Sequence, residues 1–415
     1  MADEMNSHTP VSRNTAKYVL MLGVMTALPA ISTDIYLPSL PDVAADLHTS
    51  GTMAQLTITC MMIGGAVGQL VVGPLSDRFG RRLPVLIGVA LHVVTSVLCA
   101  ISPAIVPLIV LRAAQGFFNA SATVVAMAVI RDRFVGPDAS RLLSRLMLVI
   151  GVAPLFAPSI GGLIAGQWGW RAVFLALAVY GVVLWFVVLL RLPETLPAER
   201  RIGSVAGAWR GYRVLVRDRH FVALAVMPGL GQAVLMSYVV GSPFVLREGF
   251  DLSPNEFALI FAVNGLGLVA GAQVNASIVR RVAPIRIIRT ALPVCVALTG
   301  VLLALVLTGA GGLLGLLIVL FLLLSILNFI PPNASAIALS RHGERAGTAA
   351  AFIGACQAGV AGLVSPLVGV LGEDAPAMGT VMFGAAVLAL AVLALATPAY
   401  RRGGWSHTEQ PAVAG

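Results

Sequence analysis

The sequence predicts an all-α integral membrane protein of twelve transmembrane helices, arranged as two six-helix bundles with both termini cytoplasmic. Three observations predict it: scarcity of charge, a regular succession of apolar runs, and the side on which the arginines fall. Of 415 residues, 58% are hydrophobic and 11% charged, with a mean hydropathy of +0.93. A soluble chain carries roughly a quarter charged residues, so the shortfall fits helices whose outer faces meet lipid. The first apolar run begins near Tyr18, contains Asp34 and ends in prolines without a small-residue cleavage site. It reads as a retained helix and not as a removed signal peptide. Further runs cover 53–73, 84–101, 107–130, 142–165, 172–192, 221–241, 255–278, 287–308, 313–339, 346–371 and 377–397. Each is near the ~20 residues that cross a hydrocarbon layer.

The loops orient these runs. Only Arg171 and Arg247 fall on one side; Arg112 lies within a run, and every other Arg, with Lys17, falls on the opposite side. An imbalance of roughly ten to one makes the arginine-rich side cytoplasmic. Asp42, Asp46, Glu248, Asp251, Glu373 and Asp374 populate the outer loops. The basic stretch 193–219 divides the chain. Expected boundaries are a tail at 1–16, a first bundle at 17–192, a linker at 193–219, a second bundle at 220–397 and a tail at 398–415.

The net charge of +9 does not point to nucleic acid, because the basic residues form short loop clusters without interleaved aromatics. Lys17 is the only lysine, which rules out a Gly-x-x-x-x-Gly-Lys phosphate loop. Cys60, Cys99, Cys295 and Cys356 are scattered, without the spacing of a disulfide framework or zinc site. No metal or cofactor is expected. Paired carboxylates, His-x-x-x-His and Ser/Lys sets within the runs are missing too, which argues against an intramembrane enzyme. A channel is the other distant alternative, and would be built from rings of repeated ligands.

Two residues of fixed charge lie deep in the runs, Asp34 in the first and Arg112 in the fourth. Either buried alone costs ~2.5–3.5 kcal/mol on insertion scales. Asp34 lies about 9 Å and Arg112 about 7.5 Å from the outer end of its helix at the α-helical rise. They share a level, so a pair, direct or through water, is geometrically possible. One reading is a structural ion pair; the other is a proton-coupling site. Arg112, Gln115, Gly116, Asn119 and Thr123 recur at helical spacing, which predicts a polar stripe facing an aqueous cavity. Tyr36, Gln232, Tyr238, Asn264 and Asn328 are expected to line the same cavity. Each amide has a bland alternative in interhelical hydrogen bonding. Asn275 and Asn333 share that ambiguity, and His92 shows no titratable partner nearby in the sequence.

Glycines at 64, 65, 68 and 73 in the second run and Gly151, Pro154, Pro158, Gly161 and Gly162 in the fifth suggest either pivots or tight packing. The run GPLSDRFGRR (73–82) resembles the signature loop of the major facilitator superfamily. The resemblance implies a conformational latch made by Gly73, Asp77, Arg78, Gly80, Arg81 and Arg82. LRAAQGFFNA (111–120) looks like the helix-four motif whose arginine, here Arg112, is implicated in proton coupling. PLFAPSIGG (154–162) is similar to the antiporter motif of helix five, with Ala157 where glycine is usual. TDIYLPSLPDVAADL (33–47), WRAVF (170–174), LPET (192–195) and GSPFVL (241–246) resemble the bicyclomycin- and chloramphenicol-resistance group.

That resemblance implies a monomeric multi-pass efflux pump of a bacterial inner membrane, exchanging protons for small amphipathic substrates by alternating access. A dedicated metabolite exporter and an uptake symporter are the nearest alternatives on the same fold.

Overall fold

The computed structural model describes residues 12–134, 156–201, 205–372 and 374–400. Among these, eleven helices are long and apolar enough to cross a membrane. We number the helices α1 (Ser12–Asp34), α2 (Gly51–Phe79), α3 (Arg82–Ala100), α4 (Ile105–Arg133), α5 (helical at 156–168) and α6 (Trp170–Arg191). An amphipathic linker helix, Val205–Arg217, precedes α7 (Arg219–Ser242), α8 (Pro254–Ile278), α9 (Pro284–Thr308), α10 (Gly312–Leu327), α11 (Ala346–Val364) and α12 (Ala375–Ala396). A short helix, Pro331–Arg341, extends α10 past its proline pair, and Leu367–Leu371 extends α11. Gly151 and Pro154 of the predicted fifth run lie outside the described residues.

The outer surface is what lipid requires. Leu190, Leu314 and Leu395 are each more than 70% exposed, a pattern that only an apolar surrounding tolerates.

Inside, the helices cross closely where glycine replaces a side chain. A Cβ at Gly64 would strike the carbonyl of Ala113, one at Gly68 that of Phe117, and one at Gly116 that of Met61. These contacts seat α2 against α4 over about two turns. Gly116 therefore turns toward α2, whereas the sequence placed it on a cavity stripe. Of the glycines at 64, 65, 68 and 73 in α2, Gly64 and Gly68 serve tight packing, and Gly73 has open space beside it. In α5, Gly161 lies against the carbonyl of Ile35.

The signature run departs from the expected loop. Helix α2 continues through Phe79, and the turn is made at Gly80 alone, whose φ of +90° suits glycine. Pro74 sits inside this helix and cannot donate to the carbonyl of Leu70, four residues back. The hydroxyl of Tyr212, from the linker helix, donates to that carbonyl at 3.1 Å. Pro293 in α9 repeats the arrangement: the carbonyl it strands, Arg289, accepts from Tyr400 Oη at 3.0 Å. In hydrocarbon a stranded carbonyl costs several kcal/mol, so the chain supplies its own donors.

The two sets of helices meet along α2 and α11, which run antiparallel. From the outer to the cytoplasmic end, Thr52 Oγ1 donates to Gly369 O at 3.2 Å, Met62 faces Gly362, Ala66 faces Gly359 and Gln69 covers Gly354.

Tyr212→Phe should leave the Leu70 carbonyl unpaired and cost about 1–3 kcal/mol. It is expected to lower the unfolding temperature of detergent-purified protein, while Gly73→Ala leaves it unchanged.

Candidate functional site

Arg112 is wholly buried on α4. Its Nη1 donates to Gln115 Oε1 at 2.5 Å and to the carbonyl of Ser32 on α1 at 3.2 Å. The guanidinium carbon lies 4.8 Å from the ring centre of Tyr36 and 5.5 Å from that of Phe174 on α6. Such cation–π contacts are worth about 2 kcal/mol each when water is excluded. Nε and Nη2 meet no acceptor among the described residues. The cation is thus held by neutral oxygens and aromatic faces.

The expected pairing with Asp34 is not made. Asp34 ends α1, is 5% exposed, and among the described residues no ion pair or hydrogen bond reaches it. Arg112 reaches α1 at Ser32, two residues from Asp34. Helical rotation separates them. Ser32 and Tyr36 are four apart on the face toward α4, and Asp34 between them projects from the opposite face.

The polar stripe of α4 likewise faces the bundle interior instead of an open cavity. Gln115 Nε2 donates to Ser96 Oγ on α3 at 2.7 Å. Asn119 is 1% exposed and its side chain is set against His92 of α3; Thr123 is half-buried, with Oγ1 unpaired among the described residues. Tyr36 is buried and accepts from Thr57 Oγ1 at 3.2 Å.

In the later helices the amides make interhelical hydrogen bonds. Asn264 donates to Tyr238 Oη at 2.9 Å, Asn328 to Leu268 O at 2.7 Å, Asn333 to Asn275 Oδ1 at 2.8 Å and Gln357 to Gln232 Oε1 at 3.4 Å. Tyr238 stacks on Phe261, ring centres 5.6 Å apart. The buried Pro158 and the Gly161 of α5 pack near the end of α1, and Gly162 comes beside Pro38.

At the arginine-rich ends, Arg81 organises a clasp. It donates to Asp77 Oδ1 at 2.5 Å, Ser76 Oγ at 2.8 Å and Asp132 Oδ2 of α4 at 2.8 Å. Glu194 accepts the backbone N–H of Arg81 at 2.8 Å and of Arg82 at 3.3 Å. Arg82 Nη2 reaches the carbonyl of Leu189 at 2.6 Å, and Thr195 Oγ1 reaches Asp132 at 3.2 Å. Arg78 lies exposed over the Phe79 ring. Burial pushes the Glu194 carboxyl up, but the N–H groups of Arg81, Leu196 and Arg82 and the Arg201 guanidinium outweigh it and hold it below its ordinary 4.5. All these partners come from the first six helices and the start of the linker. The second half has its own tie: Asp218 caps α7 and receives Arg341 Nε and His342 Nε2, each at 3.1 Å.

Sequence reasoning missed Ser32, Thr57, Ser96, Asp132, Phe174 and Tyr212. Ser96 stands one turn from His92, and Phe174 and Glu194 sit in the WRAVF and LPET pieces; these signals were present without an address.

The family model described as Major Facilitator Superfamily matches residues 22–366. The chain belongs to that superfamily. Over 384 residues it is 34% identical to "Uncharacterized MFS-type transporter YdgK" of Bacillus subtilis, covering 92% of this chain and 95% of the relative. It is 30% identical to a Bicyclomycin resistance protein homolog of Haemophilus influenzae, over 92% and 96% of the two chains. Among solved structures, a D-xylose-proton symporter superposes with a TM-score of 0.74 at 16% identity, covering 93% of this chain and 99% of that one; this likeness establishes the fold. The protein is a multi-pass membrane transporter of the major facilitator superfamily.

The lowered Glu194 group stabilises the superfamily's signature turn fully above its unfolded value, and that stabilisation is lost as pH falls through the folded one. Lowering pH from about 7 to about 4 should therefore reduce the unfolding temperature. Glu194→Gln should start lower at neutral pH and fall less, as read by scanning fluorimetry in detergent.

Proposed function

We propose that this transporter exports small amphipathic compounds across a bacterial inner membrane in exchange for protons, with Asp34 carrying the proton. One observation carries the reading: Asp34 is a deep carboxyl with no counter-ion among the described residues, on the face of α1 turned away from Arg112. A bare carboxylate is costly to enclose and the neutral acid far less so. Asp34 thus passes through the closed states carrying a proton, and gives it up when its side of the protein opens to water. A substrate group that satisfies the carboxylate competes with the proton, and this competition couples the two fluxes. The similarity to a relative named for bicyclomycin resistance supports export of foreign compounds.

Arg112 sets the potential at this level from the other face of α1. The bundles 17–192 and 220–397 move against each other about the α2–α11 contact, with 193–219 as their tether and the Arg81 clasp keeping the first bundle's cytoplasmic end rigid as a latch. Tyr238, Asn264, Asn328 and Gln232 present the second half's polar groups to the substrate. The protein works as a monomer, without cofactor or metal, and catalyses no covalent chemistry. A dedicated metabolite exporter is the second reading, favoured to the extent that the Gln232–Gln357 and Asn264–Tyr238 pairs make a fixed polar pattern.

The test uses everted vesicles energised by respiration and a panel of amphipathic drugs. Wild type should release its pH gradient when substrate is added, and Asp34→Asn should fall to the vector background. Arg112→Lys keeps charge but not the planar fork, and should retain a reduced response. Undiminished, pH-dependent exchange by Asp34→Asn would overturn the assignment. Response to a single metabolite alone would favour the second reading.

A further inference from the structure

The two bundles treat their cytoplasmic arginines differently. In the first, Arg81 of the α2–α3 turn meets Asp77 and Asp132, and Glu194 binds the backbone of that turn. The α8–α9 turn holds the corresponding place in the second bundle. It brings Arg280, Arg281, Arg286 and Arg289 within ten residues of chain, all four exposed. No acidic residue stands between Glu256 and Glu344 in the sequence. Among the described residues none of the four makes an ion pair. Asp218, which caps α7 at the same membrane face, already holds Arg341 and His342.

Orienting the chain needs positive charge on this side, but not cations gathered at one turn without acids. Arg286 also stands in the first turn of α9, the end where a helix disfavours a cation. Arg289 is held in place: its Cζ lies 5.4 Å from the ring centre of Tyr400, whose hydroxyl donates to the Arg289 carbonyl at 3.0 Å. The patch opens sideways, toward the bilayer. Helices α8 and α9 are the least enclosed of the eleven spans, with 22% and 28% of their apolar stretches buried. Val274 and Val279 at the end of α8, and Val294 on α9, are exposed within two helical turns of the arginines. Cations at the rim of an exposed apolar wall match a headgroup phosphate set above its acyl chains.

We propose that the α8–α9 turn is a binding site for anionic phospholipid of the cytoplasmic leaflet. The headgroup phosphate sits on Arg280, Arg281 and Arg286, with Arg289 at its edge, and the acyl chains run along the exposed valines. Guanidinium groups suit this task, because their planar fork matches two phosphate oxygens at once. A soluble phosphate could use the arginines but would gain nothing from the apolar wall beside them. The site requires only the fold, and it stands whether or not the transporter exchanges protons.

The test titrates protein purified in neutral detergent with phosphatidylglycerol, or with phosphatidylcholine of the same chains, and counts bound lipid by native mass spectrometry. Wild type should bind phosphatidylglycerol at least about tenfold more tightly, since each arginine near an anionic headgroup is worth about fivefold. The combined Arg280→Gln, Arg281→Gln and Arg286→Gln variant should lose most of that preference. Removing the same charge from the exposed face of the linker helix, as Arg210→Gln, Arg213→Gln and Arg217→Gln, is the control. It should leave the preference within about twofold of wild type. Should the triple variant not fold, Arg286→Gln alone is expected to weaken phosphatidylglycerol by about fivefold. Val274→Ser with Val279→Ser should weaken it too, with no change of charge. Equal affinity for the two lipids, or equal loss in the linker control, overturns the site. Displacement of phosphatidylglycerol by an equal concentration of inorganic phosphate overturns its assignment to lipid.

Discussion

A guanidinium in a hydrocarbon layer has no water to fall back on, and the interior of the first bundle is built around that fact. Among the described residues Arg112 has no carboxylate beside it. It is held by a backbone carbonyl, an amide oxygen and two aromatic faces, each contributed by a different piece of chain: Ser32 from α1, Gln115 from its own helix, Tyr36 beyond α1 and Phe174 from α6. Pulling any of these away exposes the charge, so α1, α4 and α6 are fixed in mutual register by electrostatics where hydrophobic burial cannot discriminate. The same economy of donors governs the proline-stranded carbonyls of Leu70 and Arg289, each met by a tyrosine hydroxyl from a distant segment.

Close helix crossings make that arrangement possible. Gly64, Gly68 and Gly116 let α2 and α4 approach until backbone meets backbone, which brings the polar face of α4 within reach of α1 and α3. At the cytoplasmic ends the clasp of Arg81 with Asp77 and Asp132, reinforced by Glu194, locks the α2–α3 turn to α4. The first bundle is therefore braced at mid-depth and at its inner end by two polar systems.

Architecture was legible in the sequence because hydrophobic length and arginine placement are strong, local and repeated signals. The same was true of the depth of Asp34 and Arg112, since helical rise is nearly constant. Azimuth was not. Asp34 and Ser32 differ by two residues and hence by more than half a turn, and only the rotation of α1 about its axis decides which of them meets Arg112. The stripe on α4 misled for a related reason: Gln115 and Asn119 have the spacing of a cavity wall, but whether α3 or water stands opposite is a property of the other helix. His92 seemed solitary because its partners, Ser96 Oγ excepted, lie on α4 and α6. The run 73–82 read as a loop from its resemblance to the signature, and nothing local announces that Tyr212, far along the chain, completes the bond that Pro74 leaves open.

The seam between α2 and α11 runs the full thickness of the membrane, from Thr52 on Gly369 to Gln69 on Gly354. Parting the halves on the outer side unfastens the first contact and preserves the last; parting them on the inner side does the reverse. The seam therefore keeps part of its contact whichever end opens, as the pivot of a see-saw keeps the beam under either tilt.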